Sequence, residues 1–126
     1  MKNESAEQRK DMRIKVHVPL SFRKLRDGAG VQGISSISKN LSQDGVCFRT
    51  SQFVSMACRL IVELDIPKLK KPIKAISKVT WIRKTGSGTE YEIGNRFLEM
   101  SKADKANILK YVDSFKLYSD TTSSNQ

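Results

Sequence analysis

The sequence predicts a mainly β domain, a six-stranded antiparallel β-barrel followed by one C-terminal α-helix, and three observations carry that prediction. Short segments of apolar residues alternating with polar ones recur along the chain, the period of two that gives a strand one buried face. Gly, Pro, Asn and Asp cluster between those segments, as turns require. A helical apolar period appears only after the last strand. Short strands at such spacing suit a closed barrel, which leaves no sheet edge unpaired.

Residues 1–13 are polar and charged without apolar periodicity, and read as a flexible arm. The first strand is the clearest: Ile14, Val16, Val18, Leu20 and Phe22 alternate with Lys15, His17, Pro19 and Ser21. Pro19 has no N–H for a ladder and calls for an edge position or a bulge. His17, on the polar face, reads as a solvated side chain. Asp27-Gly28-Ala29-Gly30 turns the chain, and a Ser- and Ile-rich second strand spans 31–39. Asn40 to Gly45 is the next turn, opening onto a short third strand, 46–50. After a loop over 51–57, Leu60, Val62, Leu64 and Ile66 share one face of the fourth strand. A basic turn, 67–72, leads to the longest strand, 73–84, with Val79 and Trp81 on one face and Ile76 and Ile82 on the other. Gly86-Ser87-Gly88 breaks it, and the sixth strand, 90–100, sends Tyr91, Ile93 and Phe97 inward. Ser101 is an N-cap with Asp104 in the first turn, where an acid favours the helix dipole. Ile108, Leu109, Val112 and Phe115 then recur at helical spacing as far as Tyr118. The chain is therefore divided into an arm (1–13), a barrel with its helix (14–118) and a small polar tail expected to be disordered (119–126).

At 126 residues the chain can bury one core. Its net charge of +10 calls for an anionic partner: nucleic acid, nucleotide, anionic membrane or an acidic protein face. Lys68, Lys70, Lys71, Lys74, Lys78, Arg83 and Lys84 crowd one segment, which reads as a solvated hairpin. The longest aliphatic run, Leu60-Ile61-Val62, is far short of the roughly 20 apolar residues of a membrane span. The N-terminus, Met1 to Ser5, has no apolar core of a secretory leader, so the expected location is cytoplasmic. Cys47 and Cys58 lack metal-ligand spacing, and with His17 as the sole histidine they cannot assemble a Cys/His zinc centre. They read as reduced thiols on neighbouring strands. With no metal cluster and no nucleophile beside a base, neither catalysis nor a cofactor is expected. Glu63 and Asp65 share a strand face as ordinary exposed carboxylates.

Two motifs carry the chemistry. Arg9-Lys10-Asp11-Met12-Arg13 stands directly before the first strand, and Asn40-Leu41-Ser42-Gln43-Asp44-Gly45 stands between the second and third. Arginine offers a flat fork of donors that pairs with phosphate or with the O6/N7 edge of guanine, and it stacks on rings. The turn adds an amide, a hydroxyl and backbone N–H groups that glycine leaves approachable. In this order and setting, with Val79-x-Trp81 in the fifth strand and Gly94-Asn95-Arg96-Phe97 in the sixth, the chain resembles the PilZ domain family of bacterial cyclic di-GMP receptors. The resemblance runs roughly from Arg9 to Met100, with the helix as the usual C-terminal addition, and departs at Ala57, where a glycine is often found.

That resemblance implies a split barrel and a set of ligand contacts. Arg9 and Arg13 contact the phosphates and guanine edges, with one guanidinium stacked on a base. Asn40 and Ser42 hydrogen-bond guanine or phosphate, Gly45 allows close approach, and Lys10 adds charge. The implied function is a receptor that couples cyclic di-GMP binding to a conformational switch on an unidentified effector protein, in motility, pili, exopolysaccharide synthesis or biofilm control. Monomer and homodimer are both compatible, without membrane insertion or specific nucleic-acid binding. Two alternatives stay open. One is a basic barrel for single-stranded nucleic acid, which needs exposed aromatic platforms, whereas Phe22, Phe48, Trp81, Tyr91 and Phe97 fall on faces expected to be buried. The other is a PilZ-like interaction adaptor that binds no nucleotide, against which the intact motifs stand.

Overall fold

The computed structural model describes residues 13–124 except Ala29 and Ser87, with side chains described as far as Phe115. Six strands, β1 (Pro19–Lys24), β2 (Ile34–Ser42), β3 (Gly45–Thr50), β4 (Arg59–Leu64), β5 (Ile73–Lys84) and β6 (Tyr91–Met100), are followed by helix α1 (Lys102–Ser124). The strands close a barrel in the order β1-β2-β3-β6-β5-β4, and β4 returns to pair with β1. Every neighbouring pair is antiparallel.

The alternation read from the sequence fills the barrel. Phe22 and Phe48 meet with ring centroids 4.8 Å apart, and Leu41, Leu60, Val62, Leu64, Ile73 and Ile93 are fully enclosed around them. Each such side chain contributes about 1.5–3 kcal/mol by leaving water. From α1, Ile108 and Val112 join the same core. The helix is capped as its sequence requires: the Ser101 hydroxyl accepts the Asp104 N–H at 3.1 Å. The Asp104 carboxylate in turn accepts the Lys74 N–H at 3.3 Å, which ties the helix start to β5. The helical backbone continues past Tyr118 to Ser124, so 119–124 are helical where the composition predicts a disordered tail. Once a helix is nucleated each further residue adds a hydrogen bond without needing an apolar period.

The first strand begins five residues later than its alternation suggests, at Pro19 rather than Ile14. Val16 and Val18 are buried as predicted, but Ser38 of β2 stitches their segment in place of a regular ladder. The buried Ser38 hydroxyl donates to the Val16 carbonyl and accepts the Val18 N–H, the latter at 2.8 Å. Opposite β3 the register of β2 shifts between Ser38 and Asn40. Beyond this shift Ile14 and Leu41 exchange two backbone hydrogen bonds of 2.9 Å, which brings the N-terminal segment beside the end of β2. Pro19 is the first residue of β1, where a missing N–H is tolerated.

A second register shift, between Val79 and Trp81 of β5, changes the reading of that strand. Strict alternation puts both residues on one face. With Thr80 as the extra residue, Val79 turns into the core and is 1% exposed, whereas Trp81 stays half-buried over the barrel's outer surface. One inserted residue reverses the facing of the strand beyond it.

Ala57, before β4, has φ 64°, in the left-handed region where a Cβ is unfavourable. Its N–H is held by the Val79 carbonyl at 3.0 Å, so the conformation is imposed by pairing with β5. Ala57→Gly is expected to raise stability by about 0.5–1 kcal/mol, because relief of the left-handed cost exceeds the added chain entropy. The urea midpoint should move up, and a midpoint that falls would contradict the strain assigned to Ala57.

Candidate functional site

The outer surface of β2, β3, β6 and β5 carries a cleft of about 330 Å³. Its floor is one row of paired residues: Asn40 opposite Cys47, Cys47 opposite Gly94, and Gly94 opposite Trp81. Gly94 has no side chain to fill the space, and the indole lies against its backbone; a Cβ there would sit 2.0 Å from Trp81 Nε1. Trp81 thus forms one wall of the cleft, with Arg13, Asn40, Asp44 and Arg96 among the other lining residues.

Four of the six residues singled out from the sequence meet here: Arg13, Asn40, Ser42 and Gly45 all line the cleft. Arg9 and Lys10 lie outside the described residues, as does the rest of the arm up to Met12. Arg13 is exposed, and the antiparallel bridge between Ile14 and Leu41 places it across from Ser42, on the cleft that Asn40 also lines, although 29 positions separate Arg13 from Ser42 in the chain. Asn40 and Ser42 sit at the end of β2 rather than in a turn, because a two-residue hairpin, Gln43-Asp44, joins β2 to β3. The Ser42 hydroxyl faces that hairpin and accepts the N–H groups of Asp44 and Gly45 at 3.2 Å each. It shapes the turn. Gly45 answers to tertiary packing as well: a Cβ there would lie 2.0 Å from the Asn95 carbonyl oxygen of β6.

On one side of the floor lies a second row, Arg49 opposite Glu92 and Glu92 opposite Arg83. Glu92 is 3% exposed, and its carboxylate accepts from Lys39 at 2.6 Å, from Arg49 at 3.2 Å and from Arg83. These hydrogen bonds, Lys39's foremost, outweigh burial and hold its pKa at about 2, down from 4.5. Three cations around one carboxylate leave the cluster at net +2. Cys47, on the floor, feels the same surroundings. Burial, then Glu92, raises its thiol pKa, partly opposed by Lys39, Arg13 and Arg83, so the group stays a neutral thiol. Cys58 is a free thiol just before β4, and β3 and β4 are not barrel neighbours, so the two cysteines do not lie on adjacent strands.

Trp81, Asn95 and Arg96 are not among the expected ligand residues, yet all line the cleft. Asn95 is 5% exposed; its Oδ1 accepts from Ser77 at 3.3 Å, while Nδ2 has no partner among the described residues. Val46 and Val79, which stand opposite Asn95, both face the core, so this open donor lies inside the barrel wall, and Asn95 meets the cleft from the inner side. The Gly94-Asn95-Arg96-Phe97 string signals these positions, but only the shift at Thr80 turns Trp81 toward them. Among the described residues no group of three or more potential metal ligands occurs, and no helix is long and apolar enough to cross a membrane.

The PilZ domain family matches residues 7–114, most of the chain. No curated protein sequence matches it. Among solved structures, the Bacillus subtilis inhibitor of motility MotI/DgrA superposes with a TM-score of 0.69 at 15% identity, over 84% of this chain and 50% of that one. Escherichia coli YcgR in complex with c-di-GMP gives 0.67 at 15% identity, over 90% and 48%. The PilZ domain of CeSA from a cellulose-synthesizing bacterium gives 0.60 at 11% identity, over 84% and 99%. At these identities the likeness is one of fold, and the chain spans about half the length of the first two.

Glu92 sets a pH dependence. Its pKa is lowered on folding, so its contribution is complete above the unfolded value of 4.5 and is lost as pH falls toward about 2. That contribution is about 2 kcal/mol after screening at its more exposed partners. Glu92→Gln should flatten the acid limb of a stability–pH profile from urea melts, and an unchanged limb would show that another carboxylate governs it.

Proposed function

We propose that this chain, which belongs to the PilZ domain family, is a receptor for cyclic di-GMP and that the cleft is where it binds. The observation that carries the reading is the convergence of Arg13 with Asn40, Ser42 and Gly45 on one cleft beside a net-positive cluster. The ligand that suits this chemistry is anionic, planar and rich in acceptors. YcgR, of similar fold, is described in complex with c-di-GMP.

Arg13 supplies a guanidinium for a phosphate or a guanine edge, and Arg9 adds the second. Asn40 offers its amide at the cleft floor. Gly45 and the hairpin closed by Ser42 keep the backbone low enough for close approach. Trp81 presents a ring against which a base can stack. Charge-assisted hydrogen bonds contribute about 1.5–3 kcal/mol each and a desolvated cation–π contact about 0.5–2. After the conformational cost of fixing the contacting side chains, several such contacts leave an affinity in the roughly micromolar range, about −8 kcal/mol.

The mode of output is set by this chemistry. The motifs bind and do not catalyse, so the signal leaves as a change in what the surface offers to an effector protein. Control of motility, pili, exopolysaccharide or biofilm by a cytoplasmic receptor of this kind is the family-level expectation. Single-stranded nucleic acid is the weaker reading, because it needs successive stacking platforms and the cleft has one aromatic ring, Trp81.

Arg13→Ala should abolish binding of cyclic di-GMP in calorimetry, with GTP and cyclic di-AMP as controls, while the circular dichroism of the barrel is unchanged. Unaltered affinity in that variant would remove Arg13 from the site. Trp81 is the sole tryptophan, so the nucleotide should also quench intrinsic fluorescence with the same midpoint as the calorimetric titration. Heat of binding without any change in emission would place the ligand away from Trp81.

A further inference from the structure

A third row of paired residues borders the cleft on the side opposite Glu92. Arg59 of β4 stands opposite Lys78 of β5, Lys78 opposite Arg96 of β6, and Arg96 opposite Gly45 of β3. All three cations are exposed, and none makes an ion pair among the described residues. Like charges directly opposed across strands destabilise a sheet. The same barrel avoids that arrangement elsewhere: Glu92 separates Arg49 from Arg83, and Glu63 faces Lys74. The Arg59–Lys78–Arg96 row has no such carboxylate, so its charge is left for something outside the chain.

Beside the row lies a shallow groove of about 610 Å³, lined by Ile76, Leu98 and Met100, with Lys74, Lys105 and one carboxylate, Glu99, among its other lining residues. Leu98 is 41% exposed. With the row's three cations, Lys74 and Lys105 against the single carboxylate of Glu99, the charge stays positive, and aliphatic side chains in that setting match an acidic peptide segment that also carries apolar residues. Nucleic acid would need aromatic platforms, and neither the row nor the groove has one.

We propose that the Arg59–Lys78–Arg96 row and its groove are a docking track for an acidic, partly apolar segment of a partner protein. Arg96 lines the nucleotide cleft as well as ending the row. Resting on the proposed cyclic di-GMP function, the coupling has a definite sign: phosphates in the cleft neutralise Arg96 and add negative charge, so the nucleotide weakens docking of the acidic segment. By linkage the segment weakens nucleotide binding by the same factor.

The test is fluorescence anisotropy with a labelled glutamate/leucine peptide, against a labelled thymidine oligonucleotide and anionic vesicles. The wild-type chain should bind the peptide in preference to both. Lys78→Glu recreates the alternation seen at Arg49–Glu92–Arg83, so it should raise the melting temperature while weakening peptide binding about tenfold or more. Its affinity for cyclic di-GMP should also fall, about fivefold, because the new carboxylate faces Arg96 at the edge of the cleft. Saturating nucleotide should weaken peptide binding to the wild type about fivefold. Peptide affinity unchanged by Lys78→Glu, or oligonucleotide or vesicles preferred over peptide, would overturn the track. Failure of cyclic di-GMP to bind would overturn the proposed receptor function, yet the peptide arm without nucleotide would still decide the track. Nucleotide that binds without affecting the peptide would overturn the coupling.

Discussion

The cleft depends on how closely β6 approaches its two neighbours. At Gly45 of β3 an added Cβ would meet the Asn95 carbonyl oxygen, and at Gly94 of β6 it would meet the Trp81 indole, each at 2.0 Å. Neither neighbour can give way cheaply, since one is backbone and the other a ring seated against the barrel wall. Two missing side chains therefore let three strands and an aromatic side chain close up, and the space above them is the cleft. Arg13, Asn40 and Trp81 then stand around a floor of backbone and one small thiol, Cys47, where a flat ligand can lie close to the wall.

Charge is arranged about this floor in two rows with different rules. On one side Glu92 is buried and shared by Lys39, Arg49 and Arg83. Burying a carboxylate is costly unless it is hydrogen-bonded and paired, and here three donors meet that condition. The carboxylate also holds the three cations in place, leaving a rigid net-positive border. On the other side Arg59, Lys78 and Arg96 face one another without a carboxylate. The chain's excess of +10 is thus not spread evenly. Part of it is organised structurally around Glu92, and part is left unneutralised where Arg96 joins the open row to the cleft.

Much of this is legible in the chain, and the exceptions have local causes. Alternation locates all six strands and their buried faces, from Val18 and Phe22 through Phe48 to Ile93, because a half-buried strand exposes every second side chain. The capping pair Ser101 and Asp104 locates the helix. The paired motifs identify Arg13, Asn40, Ser42 and Gly45, which do gather at one cleft. Alternation assigns Trp81 to the core, and fails there because one extra residue, Thr80, reverses the facing of the strand after Val79. Ser42, which the motif assigns to ligand contact, lines the cleft and also accepts two N–H groups of its own hairpin. Ala57 departs from the glycine often found there, yet adopts the backbone conformation that glycine favours, at φ 64°.

By itself, then, the amino-acid order determined the strand content, the core residues, the helix start and the two polar motifs. Each of these is written in contiguous residues through period, turn chemistry or capping. The tertiary structure alone decided that β6 lies between β3 and β5, and hence that Glu92 meets Arg49 and Arg83, that Trp81 covers Gly94, and that Arg59, Lys78 and Arg96 fall into line. Register between strands distant in the chain depends on bulges and barrel closure, which act across the sheet and leave no periodic trace along any one segment.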